Sequence, residues 1–340
     1  MDAPLWTETH APSLEDLPQE SVRDRLQRAV DEPMNLVVQG PPGSGKTAAV
    51  RALANEAHAD PANDLVEINV ADFFDRTKKE IKNDPRFEQF LTGRSRMAKR
   101  DMINRVLKES ASYAPVSGDY KTIVLDNAEA IREDFQQALR RVMEQYHRTT
   151  QFVLVTRQPS TLIAPIRSRC FPVPVRAPTA AEIEAVLDDI LAAEDVDYDD
   201  DGLEFLAGYA DGDLRRAILA AQTTATQADE VTMATVHETV RDVGHDDALE
   251  SILQDAAAGD LADARKTVGT LLDDEGYDGQ SLLEDLLAAA RKQYSGDDLA
   301  RLHRLAGDID LDLVTGTDDR LHLTHLLATW SVQDDPGTGA

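Results

Sequence analysis

Eight residues constrain the fold of this 340-residue chain more than any others. The run Gly40-Pro41-Pro42-Gly43-Ser44-Gly45-Lys46-Thr47 satisfies G-x-x-x-x-G-K-[ST] at every fixed position. Residues 36–39 before it read as a short buried strand, and the Ala-rich stretch 47–59 after it reads as a helix. Glycines let successive backbone N–H groups turn toward one anion, and the N-terminus of a helix adds partial positive charge. Gly40, Pro41, Pro42, Gly43, Ser44 and Gly45 are therefore expected to cradle the phosphates of a nucleoside triphosphate. Lys46 would reach the β- and γ-phosphates, and Thr47 would ligate Mg²⁺. Such a site also needs an acid on a neighbouring strand end. Thr122-Ile123-Val124-Leu125-Asp126 supplies one, making Asp126 the second expected metal-side residue.

Four apolar, β-branched runs, at residues 36–39, 65–70, 122–125 and 152–156, alternate with stretches of helical periodicity. That order predicts an α/β core, a parallel sheet with helices on both faces. Phe135, Leu139, Val142 and Tyr146 put one apolar stripe on a helix before the last of these strands. Prolines 172, 174 and 178 bar a helix over residues 171–178, and a domain boundary is placed there. Thr179 and Glu182 then fit a capping box, and the chain reads as helical to about Ser331. The expected organisation is a nucleotide-binding core over 1–176, a helical segment over 177–243, a second all-helical domain over 244–332, and a flexible tail over 333–340.

The formal charge of −28 would argue against a nucleic-acid partner if it were spread evenly. It is not. Residues 1–170 carry 24 basic and 25 acidic side chains, and residues 171–340 carry 11 and 38. Helical periodicity continues through the acidic half, so it reads as a folded domain with an acidic surface rather than a solvating tail. Nine lysines among 35 basic residues, and Asp well in excess of Glu in the acidic half, suggest a salt-loving host. Cys170 is the sole cysteine, which excludes an intrachain disulfide and a Cys-rich metal site. No run of 18 apolar residues offers a membrane span, and residues 1–10 show no signal-peptide pattern, so a soluble cytoplasmic protein is expected.

Further motifs point to one family. Trp6-Thr7-Glu8-Thr9-His10-Ala11-Pro12 is similar to W-x-E-K-Y-R-P, and Asn69-Val70-Ala71-Asp72 to N-A-S-D. Gln137-Ala138-Leu139-Arg140-Arg141-Val142-Met143-Glu144 resembles A-L-R-R-x-M-E. Ile166-Arg167-Ser168-Arg169-Cys170 carries an S-R-C signature, Gly212-Asp213-Leu214-Arg215-Arg216-Ala217-Ile218 resembles G-D-x-R-x-A-I, and residues 313–321 resemble a last collar helix. Together they resemble the AAA+ ATPases, and among these the small subunit of replication factor C, the archaeal and eukaryotic sliding-clamp loader. The resemblance implies an AAA+ core, a helical lid and an all-helical collar that assembles a hetero-pentamer with other clamp-loader subunits. It also implies ATP-dependent opening of the sliding clamp and its placement on primer–template DNA. By the same resemblance Arg169 is an arginine finger for the nucleotide on the adjacent subunit, and Arg215 is a lid arginine facing the subunit's own γ-phosphate.

Three positions depart from that pattern. Asn127 stands where the family has the Glu that activates water, and an amide accepts no proton, so hydrolysis at this site is expected to be weak. Glu129, two residues on, is expected to project from a different face. Arg157 takes the place of the Asn that positions water at the end of the fourth strand, and Ala11 replaces an arginine of the N-terminal motif. Residues 71–110 hold 11 basic against 7 acidic side chains, densest at Arg94-Ser95-Arg96 and Lys99-Arg100. That stretch reads as facing DNA or the clamp, and equally as a solvated face; Arg132, Arg140 and Arg141 lie on or beside the helix after Asp126, which by the resemblance lines the chamber that tracks the duplex. Phe73 and Phe74 read as core before clamp contacts. Two other readings stay open: a helicase loader or branch-migration motor, which would need a basic C-terminal recognition helix, and a scaffold with a relic P-loop.

Overall fold

The structure, a computed structural model, describes residues 5–71, 99–243, 246–273, 277–316 and 318–331. Phe73, Phe74, Arg94, Ser95, Arg96 and the 333–340 tail lie outside the described residues. The chain divides into two compact units, residues 1–236 and 237–340.

The first unit is built on five parallel strands, β1 (Leu36–Gln39), β2 (Leu65–Asn69), β3 (Lys121–Asp126), β4 (Thr150–Thr156) and β5 (Phe171–Pro174), in the order β2-β3-β4-β1-β5. Side chains alternate across the sheet, and both faces are covered. Val37, Ile123, Leu125, Phe152 and Leu154 enter one buried cluster with Leu139 and Met143 of the helix Glu133–Tyr146. Leu36, Val38, Val124, Val153 and Val155 enter another, with Leu26 of the helix Glu20–Asp31 and Leu53 of the helix Lys46–Ala57. That alternation is why these strands read as continuous apolar runs. Cys170 packs against the first cluster, and burial pushes its thiol up to about 12, which leaves it a packing residue.

The fifth strand corrects the sequence reading, which placed only a boundary there. Phe171 N donates to Asn35 O and Val175 N to Gln39 O, each at 2.7 Å. Alternate N–H groups thus face β1, while Pro172 and Pro174 occupy the outward phase of an edge strand, where no donor is needed. The chain then enters four helices, Ala180–Ala193, Asp200–Ala210, Leu214–Ala228 and Met233–Val243. The capping box is formed: Glu182 N donates to Thr179 Oγ1, and Thr179 N donates to the Glu182 carboxylate. Trp6 N donates to Gln222 Oε1 at 3.0 Å, tying the N-terminal segment to the third of these helices.

The second unit is helical, with Asp246–Ala258, Leu261–Asp273, Gly279–Gln293, Gly296–Thr315 and Asp319–Ser331. Leu253, Val268, Leu286, Leu323 and Leu327 lie at the centre of its core. Trp330 closes one end, meeting the Tyr294 ring edge-on at 5.0 Å. Residues 313–321 are not a single helix, contrary to the resemblance. One helix ends at Thr315, Gly316 N caps back to Asp312 O, and the next begins at Asp319.

Candidate active site

The strand order puts the C-terminal ends of β1, β3 and β4 side by side, where open α/β sheets bind ligands. Gln39 pairs with Thr156, and Gly40 N donates to Thr156 O at 3.2 Å, so the P-loop leaves the sheet directly beside the end of β4. Gly43 and Gly45 have φ of +65° and +85°, values at which an L side chain is strained. They turn the loop into the helix Lys46–Ala57, whose N-cap, Gly45, offers no side-chain cap. The first N–H groups of a helix lack intrahelical acceptors, and here no cap competes with an anion for them.

Around this loop the sequence-derived residues converge. Thr47 Oγ1 donates to Asp126 Oδ2 at 3.1 Å, joining the first turn of the helix to the end of β3. Lys46 is buried, and its ammonium donates to Pro41 O. Burial depresses its pKa, opposed by the charges of Asp126, Glu129 and Asp213 and reinforced by Arg157. A hydroxyl and a carboxylate in contact at the mouth of a phosphate loop, with a lysine beside them, fit Mg²⁺ and a nucleoside triphosphate. Both metal-side donors are oxygens, as Mg²⁺ requires.

Asn127 sits at φ +53°, a backbone conformation that Asn tolerates better than most residues. Its Nδ2 donates to Asn69 Oδ1 at 3.1 Å, across the β3–β2 pair. The left-handed residue reverses the chain into a single 3₁₀ turn, Ala128–Ala130. This turn sends Glu129 away from Asn127, as expected, and gives it a place at the sheet edge. Its carboxylate swings to the end of β4, accepting from Thr156 Oγ1 at 2.8 Å, from Arg157 N at 3.3 Å and from Arg157 Nε at 3.0 Å. Burial raises the Glu129 pKa, but a hydrogen bond from its own backbone N–H together with these bonds outweighs it and holds the group below its ordinary value. No periodicity signals this placement, because it depends on one residue with positive φ.

The segment 177–236 adds a further contact. Leu214 N donates to Gly43 O at 3.1 Å, and Asp213, the N-cap of the helix Leu214–Ala228, lies directly against Gly43. A Cβ built on Gly43 would fall 1.9 Å from Asp213 Oδ1. In the sequence Asp213 reads only as part of the motif over residues 212–218, neither as an N-cap nor as a neighbour of the P-loop; an Asp before an apolar-periodic stretch is the signal that could have found the cap. Arg215, one residue past that backbone link, is exposed. Arg169 stands apart from this cluster. Its guanidinium donates to Glu144 Oε1 at 2.6 Å and to Pro165 O at 2.7 Å, and its side chain is 39 % exposed.

A parallel sheet in this order, with a P-loop on β1, an acid ending β3 and helices docked on the loop, defines a P-loop ATPase of the AAA class. Residues 36–175 match the ATPase family associated with various cellular activities (AAA), and residues 244–329 match the replication factor C C-terminal domain. The replication factor C small subunit of Halobacterium salinarum is 30 % identical over 332 residues, covering 96 % of this chain and 95 % of that one. That of Staphylothermus marinus is 31 % identical over 336 residues, covering 95 % and 93 %. The chain belongs to the family of replication factor C small subunits. A solved structure of the RuvB Holliday junction branch migration motor of Thermotoga maritima superimposes with a TM-score of 0.52 at 16 % identity, over 79 % of this chain and 81 % of that one, a likeness of fold. Among the described residues no helix is long and apolar enough to cross a membrane.

Proposed function

We propose that this chain is an ATP-binding subunit of a hetero-pentameric clamp loader, which opens the sliding clamp and places it on primer–template DNA. In this reading residues 1–176 form the AAA+ core, 177–243 the lid, and 244–332 the collar that holds the subunits together. The observation that carries the nucleotide part is the contact of Thr47 with Asp126 at the mouth of a glycine loop that ends in Lys46. Thr47 and Asp126 would hold Mg²⁺, which supplies charge neutralisation to the phosphate oxygens. The P-loop orients the phosphates, and Lys46 sets its charge against them. Membership of the replication factor C small subunit family supports the clamp-loading assignment.

Hydrolysis at this subunit's own site is weak in this reading, because the side chain that follows Asp126 is an amide already engaged with Asn69. Arg169 serves the neighbouring subunit's nucleotide, and Arg215 closes the lid over the subunit's own. Exposure of both arginines, with Leu214 bonded to the P-loop, supports these roles. The test is reconstitution with sibling subunits. Lys46→Ala should abolish Mg-ATP binding by this chain. Arg169→Ala should leave that binding intact while lowering ATP hydrolysis at the adjacent site by about 10³-fold. Unchanged hydrolysis and clamp loading by Arg169→Ala would remove the finger assignment.

A further inference from the structure

The backbone around Arg169 is fixed on both sides. Ile166, in the short helix Ala164–Arg167, is buried, Arg169 N donates to Ile166 O at 2.9 Å, and Cys170 packs against the first core cluster. The Arg169 side chain lies on the surface instead, held there at both terminal nitrogens. Nη1 donates to Pro165 O at 2.7 Å and Nη2 to Glu144 Oε1 at 2.6 Å. Glu144 comes from the last turn of the helix Glu133–Tyr146, where the buried Met143 seats the backbone. Arg140, one turn earlier on that helix, has its Nε 3.4 Å from the same carboxylate oxygen. That Nε is buried and has no hydrogen-bond partner among the described residues, so it is Arg169 that bonds to Glu144.

Helix stability does not account for an acid at this position. A carboxylate in the last turn has the wrong charge for the negative end of the helix dipole, and Arg before Glu is the weaker order for an i, i+4 pair. The ion pair adds little to the stability of the fold either, because Arg169 and Glu144 are 39 % and 41 % exposed. Its effect is to order a long side chain. An untethered arginine samples many rotamers and loses that freedom when it docks on an anion. Two of the five guanidinium N–H donors make the tether, which leaves three for an incoming phosphate. We propose that Glu144 is a positioning residue for Arg169: with Pro165 O it fixes the guanidinium before the neighbouring subunit docks, so that the finger meets the terminal phosphate of that subunit's nucleotide already ordered. The clasp yields readily, since a terminal phosphate carries more charge than one carboxylate and accepts from a guanidinium at two oxygens. A finger acts mainly on charge that develops in the transition state, so losing its order lowers kcat more than it raises KM.

This role rests on the reading of Arg169 as a finger, and one experiment separates their failures. It uses the complex reconstituted with sibling subunits in which only the nucleotide site facing Arg169 turns over. Glu144→Ala should lower kcat at that site by about tenfold with KM within about twofold. Glu144→Gln, which keeps an acceptor and loses the charge, should lower kcat by about threefold. ADP with aluminium fluoride, a mimic of the phosphoryl group in transit, should bind that site about tenfold more weakly in Glu144→Ala, and ATPγS within about twofold of the unaltered complex. In an Arg169→Ala background, adding Glu144→Ala should change kcat by less than about twofold, because the side chain through which Glu144 acts is gone. General loosening of the fold would persist in that background. Thermal midpoints identify a variant that fails to fold; if Glu144→Ala is one, Glu144→Gln carries the comparison. Unaltered kcat in either Glu144 variant, a rise in kcat, or an equal loss with and without Arg169 would overturn the proposal. Failure of Arg169→Ala itself to lower hydrolysis at that site would refute the finger reading instead.

Discussion

Gly43→Ala tests the contact between the P-loop and the helix Leu214–Ala228. Gly43 has φ of +65°, and an alanine held there costs about 1–2 kcal/mol. The new Cβ would lie 1.9 Å from Asp213 Oδ1, 2.0 Å from Cγ and 2.3 Å from Oδ2, so the carboxylate must retreat by about 1.5 Å to reach normal contact. Retreat breaks the cap from Arg216 N to Asp213 Oδ1, worth about 1 kcal/mol. It also strains the bond from Leu214 N to Gly43 O, worth about 1 kcal/mol. The expected loss is about 3–4 kcal/mol. Asp213→Ala alone should cost about 1 kcal/mol, the cap. In the double variant the clash is gone and the backbone bond survives, leaving about 2–3 kcal/mol from the φ strain and the cap. Asp213→Ala should therefore destabilise the native chain yet stabilise the Gly43→Ala chain, a coupling of about 2 kcal/mol. Trp6 is buried in this unit with its backbone N–H on Gln222, so urea unfolding followed by its fluorescence, in a Trp330→Phe background, reads the effect. Additivity within about 0.5 kcal/mol would refute the reasoning.

Asn127→Glu tests the proposal that an amide at this position leaves the site without a base. It should raise ATP hydrolysis at this subunit's own site by about 10²-fold, read in a complex whose sibling sites are inactivated, at a stability cost of about 1 kcal/mol from the positive φ and the lost amide contact with Asn69. An unchanged rate would show that something other than the base limits the site. Lys121 gives a pH signature in the same unit. It is buried with its ammonium on Tyr113 O, and burial lowers its pKa to about 8 from 10.5. Between those values the unfolded chain holds a proton that the folded chain has released, so this group makes stability rise with pH, by at most about 1.4 kcal/mol per unit. Urea midpoints between pH 7.5 and 10 should climb less steeply in Lys121→Met; parallel slopes would contradict the assignment.

Much of the core was legible because its signals are local. The strand before the P-loop matched at both ends, Thr179 and Glu182 close their capping box, and the stripe Phe135, Leu139, Val142 faces the core as its spacing required. The edge strand Phe171–Pro174 was hidden because proline reads as a strand breaker, and only the pairing partner reveals which phase needs donors. The break after Thr315 was missed because a match to a helical motif does not show where one helix stops and the next begins.

The division of the charge, the glycine-rich loop motif, the acid that ends β3 and the amide that follows it are properties of the sequence alone. Each depends on residue type at a given spacing, and the chemistry of an amide or a glycine run does not change with the fold around it. The pairing of Glu129 with Arg157, the docking of Asp213 on Gly43 and the tethering of Arg169 to Glu144 were decided by tertiary structure. These contacts join residues 28, 170 and 25 positions apart in the chain. The first exists because parallel strands bring the ends of β3 and β4 to one edge, and because Asn127, at positive φ, turns the chain toward β4. Spacing along the sequence carries no record of either.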